Sequence, residues 1–370
     1  MQKALLNAIG NIGTIVSVDV LRSFAERTDY SYQKNSATTS YINLLNRLNK
    51  EEPKTVKKEA NRLLKAASKG DKQGIKIAAT EMLLNQSSAK PDKILKDVIK
   101  DGDLTYLSGV LNSYPFKDDE KSVALIQKEL AKSKSSDIQT ALIYWLANNN
   151  IKDAASLIAG YINSPNKMVQ KATSQSLAKT GGDASLLALA SLLKSDDDES
   201  VLLAKNALMT YDGDISYTLA SVFEDCGDAG KKAILALISN RKMESQYNLV
   251  YNQMFIDNPE VKAAAAQTLK DVVTDKNLPD LFNLLEQTES GNILAIQRAI
   301  NSALNYLSSE KQIELVKSRM NSSSKKHLYY NALANSGSKE AMDLISEAYY
   351  NEKGVNKDAA FNALTSMSTF

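Results

Sequence analysis

Residue types that support catalysis or metal binding are scarce in this chain, which has one histidine and one cysteine among its 370 residues. A histidine-based catalytic triad would therefore depend on His327 alone, and a two-histidine metal site is excluded. Cys226 alone can form neither an intrachain disulfide nor a multi-cysteine zinc site. The sequence also has no glycine-rich nucleotide-binding motif. These counts exclude two-histidine and multi-cysteine metal sites and confine histidine-based catalysis to His327.

The surroundings of these single residues favour structural roles. His327 follows two lysines and precedes two tyrosines, and the sequence places no nucleophile or orienting carboxylate beside it. Cys226 lies in the turn Glu-Asp-Cys-Gly-Asp, whose acidic residues disfavour a thiolate. Trp145, the one tryptophan, occupies a core position of a predicted helix. We therefore predict no catalytic residue, no metal ligand and no cofactor in this segment.

Two charged segments are the next candidates for ligand binding. Residues 47–100 contain 14 basic and 7 acidic residues, whereas residues 194–289 contain 9 basic and 17 acidic residues. The acidic segment includes the run 196–199, which lacks the alternating ligands and central glycine of a calcium-binding loop. We predict that this run is a solvated turn whose charge caps the helix that follows.

The basic segment contains a helix that is predicted to begin at Pro53. One face of this helix carries five cations, at Lys54, Lys58, Arg62, Lys65 and Lys69. A basic face can meet phosphates or nucleic acid. However, arginine supplies only 7 of the 45 cations, and no aromatic residues are interleaved with the lysines for base stacking. We therefore predict a solvated helix face and do not expect nucleic acid as the partner.

The helices that must position any site follow one repeated pattern. Ile138, Ala141 and Leu146 are apolar at the spacing of an amphipathic helix, and the same spacing recurs along the chain. Taking the central position as a marker places twelve copies, at Ala4, Tyr41, Ala78, Leu107, Ala141, Ala172, Ala204, Ala233, Ala264, Ala299, Leu328 and Ala359. The mean period is about 32 residues, which is typical of helical repeat proteins.

A second helical stretch lies between successive markers, for example over residues 153–161, 184–193 and 279–286. Short polar turns such as 181–183, 212–214 and 336–338 contain glycine, which can end a helix, and aspartate or serine, which can cap the next one. Each repeat is therefore predicted as a helix–turn–helix unit. One such unit cannot bury its apolar face alone, so neighbouring units must stack.

The sequences NSPNKMVQKATSQSLAKTGGD at 163–183 and DNPEVKAAAAQTLKDV at 257–272 resemble HEAT repeats, specifically the short bacterial form called HEAT-like or phycobilisome-lyase-type repeats. The resemblance is strong across about 141–310. It implies an all-α fold of the armadillo type, a right-handed α-solenoid of about 11–12 helix pairs whose second helices line a concave groove. It does not imply one activity, because such repeats serve scaffolds, lyases and DNA glycosylases.

We interpret residues 1–370 as one continuous HEAT-like solenoid that forms part of a longer polypeptide. Residues 1–12 read as a second helix without a first helix, and residues 356–367 remain apolar without a polar capping helix. Such apolar ends also favour end-to-end self-association. No signal peptide or membrane span is visible in the sequence. The expected location is the cytoplasm or, for an excised fragment, the periplasm or the exterior.

The first hypothesis for function is a non-catalytic protein- or peptide-binding or scaffold module that acts through the concave groove. One alternative is the helical arm of a larger secreted bacterial enzyme, such as a sugar-processing hydrolase. Another is a HEAT-like DNA glycosylase or lyase, although a glycosylase needs a strongly basic groove, and this chain has a net charge of only +2.

The positions two and three residues after each marker are expected to point away from the core. From Ala141 onward none of these sixteen residues is charged, in a chain that is 24% charged. The candidate binding residues among them are Tyr144, Gln175, Asn206, Gln267, Asn301, Tyr330 and Asn331. A side-chain amide offers both a donor and an acceptor, so a row of amides can pair with an extended peptide backbone, as armadillo repeats do with asparagines. The alternative is that small neutral residues let adjacent helices pack closely.

Overall fold

A computed structural model describes residues 2–31, 37–68, 70, 72–288 and 290–367. Within these ranges all regular structure is helical and no strand is present, which confirms the predicted all-α fold. The chain divides into two compact units, a first unit of Met1–Thr180 and a second unit of Gly181–Phe370. None of the described helices combines the length and the apolar character that crossing a membrane requires.

The first unit contains eleven α-helices in its described residues. They are α1 (Gln2–Ile12), α2 (Val18–Arg27), α3 (Ala37–Leu48), α4 (Pro53–Ala67), α5 (Gln73–Leu84), α6 (Pro91–Asp101), α7 (Leu104–Asn112), α8 (Glu120–Lys132), α9 (Ser136–Asn148), α10 (Ala155–Ala159) and α11 (Lys167–Thr180). Short 3-10 helices precede α2 (Ile15–Ser17) and α10 (Lys152–Ala154). The odd-numbered helices carry the predicted markers, and successive odd-numbered helices from α1 to α11 are in contact. The first unit is therefore a stack of helix pairs.

The second unit continues the same alternation over its described residues. Its helices are α12 (Asp183–Leu192), α13 (Asp198–Thr210), α14 (Ser216–Val222), α15 (Asp228–Asn240), α16 (Tyr247–Asn252), α17 (Pro259–Leu269), α18 (Leu278–Gln287), α19 (Ile293–Leu304), α20 (Ser309–Ser322), α21 (Tyr330–Ala334), α22 (Lys339–Asn351) and α23 (Val355–Met367). Its 3-10 helices are Glu244–Gln246, Gln253–Phe255, Asp275–Asn277, Ser290–Asn292 and Lys326–Leu328. Successive odd-numbered helices from α13 to α23 are in contact, so this unit also has the architecture of an α-solenoid.

The predicted turn residues begin and end the helices. Gly181 and Gly182 have φ angles of 71° and 81°, a region that glycine adopts without steric cost, and α12 begins at the next residue. Ser338 caps α22 by accepting a hydrogen bond from the backbone N–H of Ala341. Asn258 caps α17 in the same way, and Pro259 is the first helical residue.

The markers differ in burial, and Ala4 is exposed. Ala172, Ala204 and Ala299 are fully buried, and the absence of a large side chain at these positions allows close contact between helices. Leu328 is the one marker in the described residues that precedes its α-helix, because the chain forms a 3-10 turn there before α21 begins. We call the side of each unit formed by its odd-numbered helices the second-helix face.

Candidate functional site

Two of the predicted binding residues meet on the second-helix face of the first unit. The Tyr144 hydroxyl of α9 donates a hydrogen bond to Oε1 of Gln175 on α11, at 2.7 Å. One turn further along both helices, Nζ of Lys179 donates to Oδ1 of Asn148 at 3.0 Å. Partial burial raises the pKa of Tyr144, so its hydroxyl remains a donor at neutral pH. These side chains therefore bridge adjacent repeats.

A second pair of predicted residues meets in the second unit. Nδ2 of Asn301 on α19 donates to Oδ1 of Asn331 on α21, at 2.9 Å. Next to this pair, Nδ2 of Asn335 donates to Oδ1 of Asn305, also at 2.9 Å. At the other side, Nε2 of Gln297 donates to the backbone carbonyl of Leu328 at 2.8 Å. We call these five amide side chains, at 297, 301, 305, 331 and 335, the amide ladder.

Asn206 on α13 and Gln267 on α17 are both exposed, and neither side chain forms a hydrogen bond with any described residue. Asn206 lies between two exposed apolar residues on the same stripe of α13, Leu202 and Met209, whose side chains are 48% and 39% exposed. Beside Leu202, a shallow depression of about 260 Å³ lies on the surface between α13 and α15. This part of the second-helix face offers free amides next to apolar surface.

The expectation that all sixteen neutral positions point away from the core is wrong. In six of the eight pairs one member is buried, and these residues are Ile143, Ser174, Ala207, Leu235, Ala266 and Tyr330. The reason is that, within each unit, an odd-numbered helix packs against its odd-numbered neighbours as well as against its pairing helix, which leaves a narrow arc for solvent. The predicted binding residue Tyr330 is 2% exposed, so it belongs to the core and offers no surface to a ligand.

The predicted basic face of α4 is solvent-exposed, as expected, at Lys54, Lys58 and Lys65. Arg62 instead forms an ion pair with Glu59 of the same helix, with Nη1 and Oε2 3.1 Å apart. Lys69 lies outside the described residues. Helix α4 therefore has an exposed basic face, although the Arg62 cation of that face is paired with Glu59.

Glu59 is a buried carboxylate that the sequence analysis missed, because it lies beside the apolar stripe of α4. The Tyr41 hydroxyl of α3 donates to Glu59 Oε2 at 2.6 Å, and Arg22 Nη1 of α2 lies 3.2 Å from Glu59 Oε1. Burial and the neighbouring Glu59 carboxylate strongly raise the pKa of Tyr41. The sequence did contain one signal of this network, because Tyr41 is the only tyrosine at a marker position. A tyrosine hydroxyl that is buried needs a hydrogen-bond partner, which Glu59 provides.

A cleft of about 410 Å³ opens in the first unit between α4 and α6, next to α5 and α7. We call it the lysine cleft. The residues that line it are Lys57, Asn61, Leu64, Thr80, Leu83, Gln86, Ser88, Ala89, Lys90, Lys93, Ile94, Asp97 and Tyr106. The sequence analysis identified the basic segment around these lysines, but the periodic pattern contained no signal that Lys57, Lys90 and Lys93 would converge.

The single chemistry-bearing residues lie in structural settings. Trp145 is buried and its indole N–H donates to the Leu111 carbonyl at 3.1 Å, which agrees with the predicted packing role. Cys226 is buried, and burial raises the pKa of its thiol. His327 lies half-buried in the 3-10 turn before α21. Among the described residues no three His, Cys, Asp or Glu side chains are grouped as metal ligands would be.

The acidic run 196–199 caps a helix, as predicted. Asp197 is the residue before α13, and its Oδ2 accepts hydrogen bonds from the backbone N–H and the hydroxyl of Ser200, at 3.0 and 2.5 Å. The negative charge lies at the N-terminus of the helix, where the backbone N–H groups favour it.

Stacked helix pairs make each unit of this chain a helical repeat structure. The family model for HEAT repeats matches residues 123–209, which confirms the predicted resemblance to HEAT repeats. From residue 141 onward the match overlaps the range in which the resemblance was expected to be strong. Two crystal structures, each described as that of an engineered protein, are similar to this chain at 16% identity. The alignment with the first structure spans 99% of this chain and 94% of the engineered chain, with a TM-score of 0.26. The alignment with the second structure spans 75% of this chain and 96% of the engineered chain, with a TM-score of 0.20. No curated protein matches the sequence.

Proposed function

We propose that this chain is a non-catalytic scaffold whose second unit binds an extended segment of a protein partner on its second-helix face. The observation that carries the proposal is the pair of exposed amides, Asn206 and Gln267, that have no partner among the described residues. Each can donate to a peptide carbonyl and accept from a peptide N–H at once. A charged side chain would instead select partners by charge.

The spacing of the two amides suits an extended segment. Gln267 lies on α17, which is separated from α13 by α15 alone in the row of odd-numbered helices. Packed helices lie about 8–10 Å apart, so the two amides are separated by roughly 16–20 Å. An extended chain advances about 3.3 Å per residue, so about six residues reach from one amide to the other. The exposed Leu202 and Met209 provide apolar contact beside the first amide.

The amide ladder has a different part in this proposal. Asn301 and Asn331 already bond to each other, so a ligand would have to break that bond before pairing with either residue. Asn206 and Gln267 lose no intramolecular hydrogen bond with a described residue when a ligand binds. We therefore assign partner binding to the two free amides and repeat-to-repeat cohesion to the amide ladder.

The test is a selection of peptides from a phage-displayed random library on the protein, followed by binding titrations with variants. The double variant Asn206→Ala with Gln267→Ala loses up to four hydrogen bonds, each of which contributes about 0.5–1.5 kcal/mol, so we expect affinity to fall at least about 10-fold. The matched control is Asn248→Ala with Gln287→Ala, two exposed amides on α16 and α18, which are first helices of the same unit. Far-UV circular dichroism checks that both variants keep their helix content.

Equal affinity of the selected peptides for the wild-type protein and for the Asn206/Gln267 variant would refute the assigned site. Loss of affinity in the Asn248/Gln287 control alone would move binding to the opposite side of the helix pairs and would also refute the proposal.

A further inference from the structure

The lysine cleft in the first unit combines positive charge with an apolar wall. Lys57 comes from α4, whereas Lys90 and Lys93 come from the start of α6, and all three side chains are exposed. Leu64, Leu83 and Ile94 are half-buried and line the same cleft. The volume of about 410 Å³ lies in the range of pockets that enclose small molecules.

The cations of the cleft are not neutralised by the protein. In the part of the chain that the structure describes, the ammonium groups of Lys57, Lys90 and Lys93 form no ion pair or hydrogen bond. Two other lysines of this unit do, since Lys72 pairs with Asp29 at 2.8 Å and Lys76 pairs with Asp101 at 2.9 Å. Asp97 is the one carboxylate in the lining, so the cleft has a net positive charge.

The start of α6 has no side-chain cap. Lys90 stands at the position before the helix and supplies no side-chain hydrogen bond to the first turn. Residues that normally cap this position are acceptors such as serine or aspartate, and a lysine has only donors. Pro91 has no N–H to donate, and Asp92 in the first turn offsets the partial positive charge of the helix N-terminus, so the positive charge of the cleft comes from its lysines.

The inner part of the cleft contains neutral polar groups. The Thr80 and Tyr106 hydroxyls lie 2.7 Å apart, and both residues are buried. Gln86 is held in place by donating from Nε2 to Asn49 Oδ1 at 3.1 Å and to the Pro53 carbonyl at 2.9 Å. These fixed groups give the cleft a defined shape instead of an open surface.

We propose that the lysine cleft binds a small amphipathic organic anion, with its acidic group between Lys57, Lys90 and Lys93 and its apolar body against Leu64, Leu83 and Ile94. Ammonium groups recognise carboxylate, sulfonate or phosphate groups as point charges, without the planar geometry that arginine imposes. The apolar wall selects ligands that carry a hydrocarbon body over inorganic anions. This site lies in the first unit and is independent of the peptide surface proposed for the second unit.

The experiment is isothermal titration calorimetry with three probes on the full chain. 1-Naphthalenesulfonate carries both the anion and the apolar body, inorganic sulfate carries the anion alone, and 1-naphthol carries the body without the charge. We expect 1-naphthalenesulfonate to bind at least about tenfold more tightly than either of the other probes, because it gains both contacts.

Two triple variants separate the cleft from the general charge of the unit. Lys57→Gln with Lys90→Gln and Lys93→Gln should weaken 1-naphthalenesulfonate binding about tenfold or more, because the ligand anion loses its counter-charges. The matched control changes the exposed lysines 54, 58 and 65 of α4 to glutamine, which removes the same net charge outside the cleft. This control should bind as the wild-type protein does. Ala89→Trp, which fills the cleft and keeps every lysine, should also abolish binding.

Equal weakening in the two triple variants would show that only diffuse charge attracts the probe and would overturn the proposal. Binding of sulfate or 1-naphthol as tight as that of 1-naphthalenesulfonate would overturn the amphipathic class. Unchanged binding in Ala89→Trp would place the probe elsewhere. A duplex DNA that binds through both sets of lysines, with no binding of 1-naphthalenesulfonate, would replace the small ligand by nucleic acid.

Discussion

The first and second units satisfy polar groups between neighbouring helices in different ways. In the first unit, the buried carboxylate of Glu59 is held by Tyr41, Arg22 and Arg62, so three helices contribute a carboxylate, a hydroxyl and two guanidinium groups. In the second unit, α19 and α21 are joined by the amide ladder, in which asparagine pairs with asparagine.

The two networks differ in whether one type of side chain can form hydrogen bonds with another of the same type. A carboxamide has both donors and acceptors, so the same residue type can pair across every repeat, whereas a carboxylate only accepts and needs donors of another type. The periodic search of the sequence found Asn301 and Asn331, but it missed Gln297, Asn305 and Asn335 and the whole Glu59 network, which is assembled once from unlike residues. The charged network also carries the larger energetic consequence when it is broken.

The largest effect is expected at Glu59. Glu59→Ala leaves the buried Tyr41 hydroxyl without its acceptor, whereas Arg22 keeps its ion pair with Asp19 at 2.6 Å. A buried donor without a partner costs about 1–3 kcal/mol, and we expect a loss near the upper end of that range. Trp145 is the one tryptophan and lies in the first unit, so its fluorescence during urea unfolding reports this loss. The control Glu51→Ala, at an exposed turn residue before α4, should change the free energy of unfolding by less than about 0.5 kcal/mol. A loss below about 1 kcal/mol for Glu59→Ala would mean that the network adds little to stability.

A smaller effect is expected in the amide ladder. Asn335→Ala removes hydrogen bonds from Nδ2 to Asn305 Oδ1 at 2.9 Å and to Gln312 Oε1 at 3.3 Å, which together contribute about 1–2 kcal/mol. Hydrogen exchange measured by mass spectrometry should accelerate in α19 and α21. Asn321→Ala, at an exposed residue of α20, is the control and should leave exchange unchanged.

A double-mutant cycle with Asn305→Ala sharpens this prediction. Paired amides should give a coupling energy of about 0.5 kcal/mol or more between positions 305 and 335. Additive single effects would mean that the ladder is a geometric arrangement without energetic coupling.

The last effect is a pH dependence in the first unit, which is absent at neutral pH and appears only above pH 10. Burial, together with the nearby Glu26 carboxylate, raises the pKa of Tyr30 from 10.0 to about 12. Because the folded-state pKa lies above the unfolded-state value, this stabilisation is complete below pH 10 and is lost as the pH rises from 10 through 12.

Tyr30→Phe should therefore make the loss of stability between pH 10 and 12 less steep, as followed by Trp145 fluorescence. Tyr217→Phe, at a highly exposed tyrosine of the second unit, should leave the slope unchanged. The same slope in the Tyr30 variant as in the wild-type protein would contradict a folded-state origin of the pKa shift.

The amino-acid sequence determined the local and periodic features of this protein. The apolar spacing around the markers, the glycine turn at 181–182 and the capping charge of the run 196–199 predicted which segments are helical and where helices begin. These features depend on residues within a few positions of each other, because a helix forms its hydrogen bonds and its apolar stripe over three or four residues. The repeat period then made stacking of helix pairs the expected architecture.

Only the tertiary structure decided which neutral positions reach the surface and which residues meet. Tyr330 and Asn331 are adjacent in sequence, yet one is buried and the other joins the amide ladder. Likewise, Tyr41 meets Glu59, and Lys57 shares a cleft with Lys93. Such contacts depend on the rotation and separation of helices that lie tens of residues apart in the chain. The rotation of each helix follows from how its side chains fit those of its neighbours, which a repeating pattern of apolar positions does not encode.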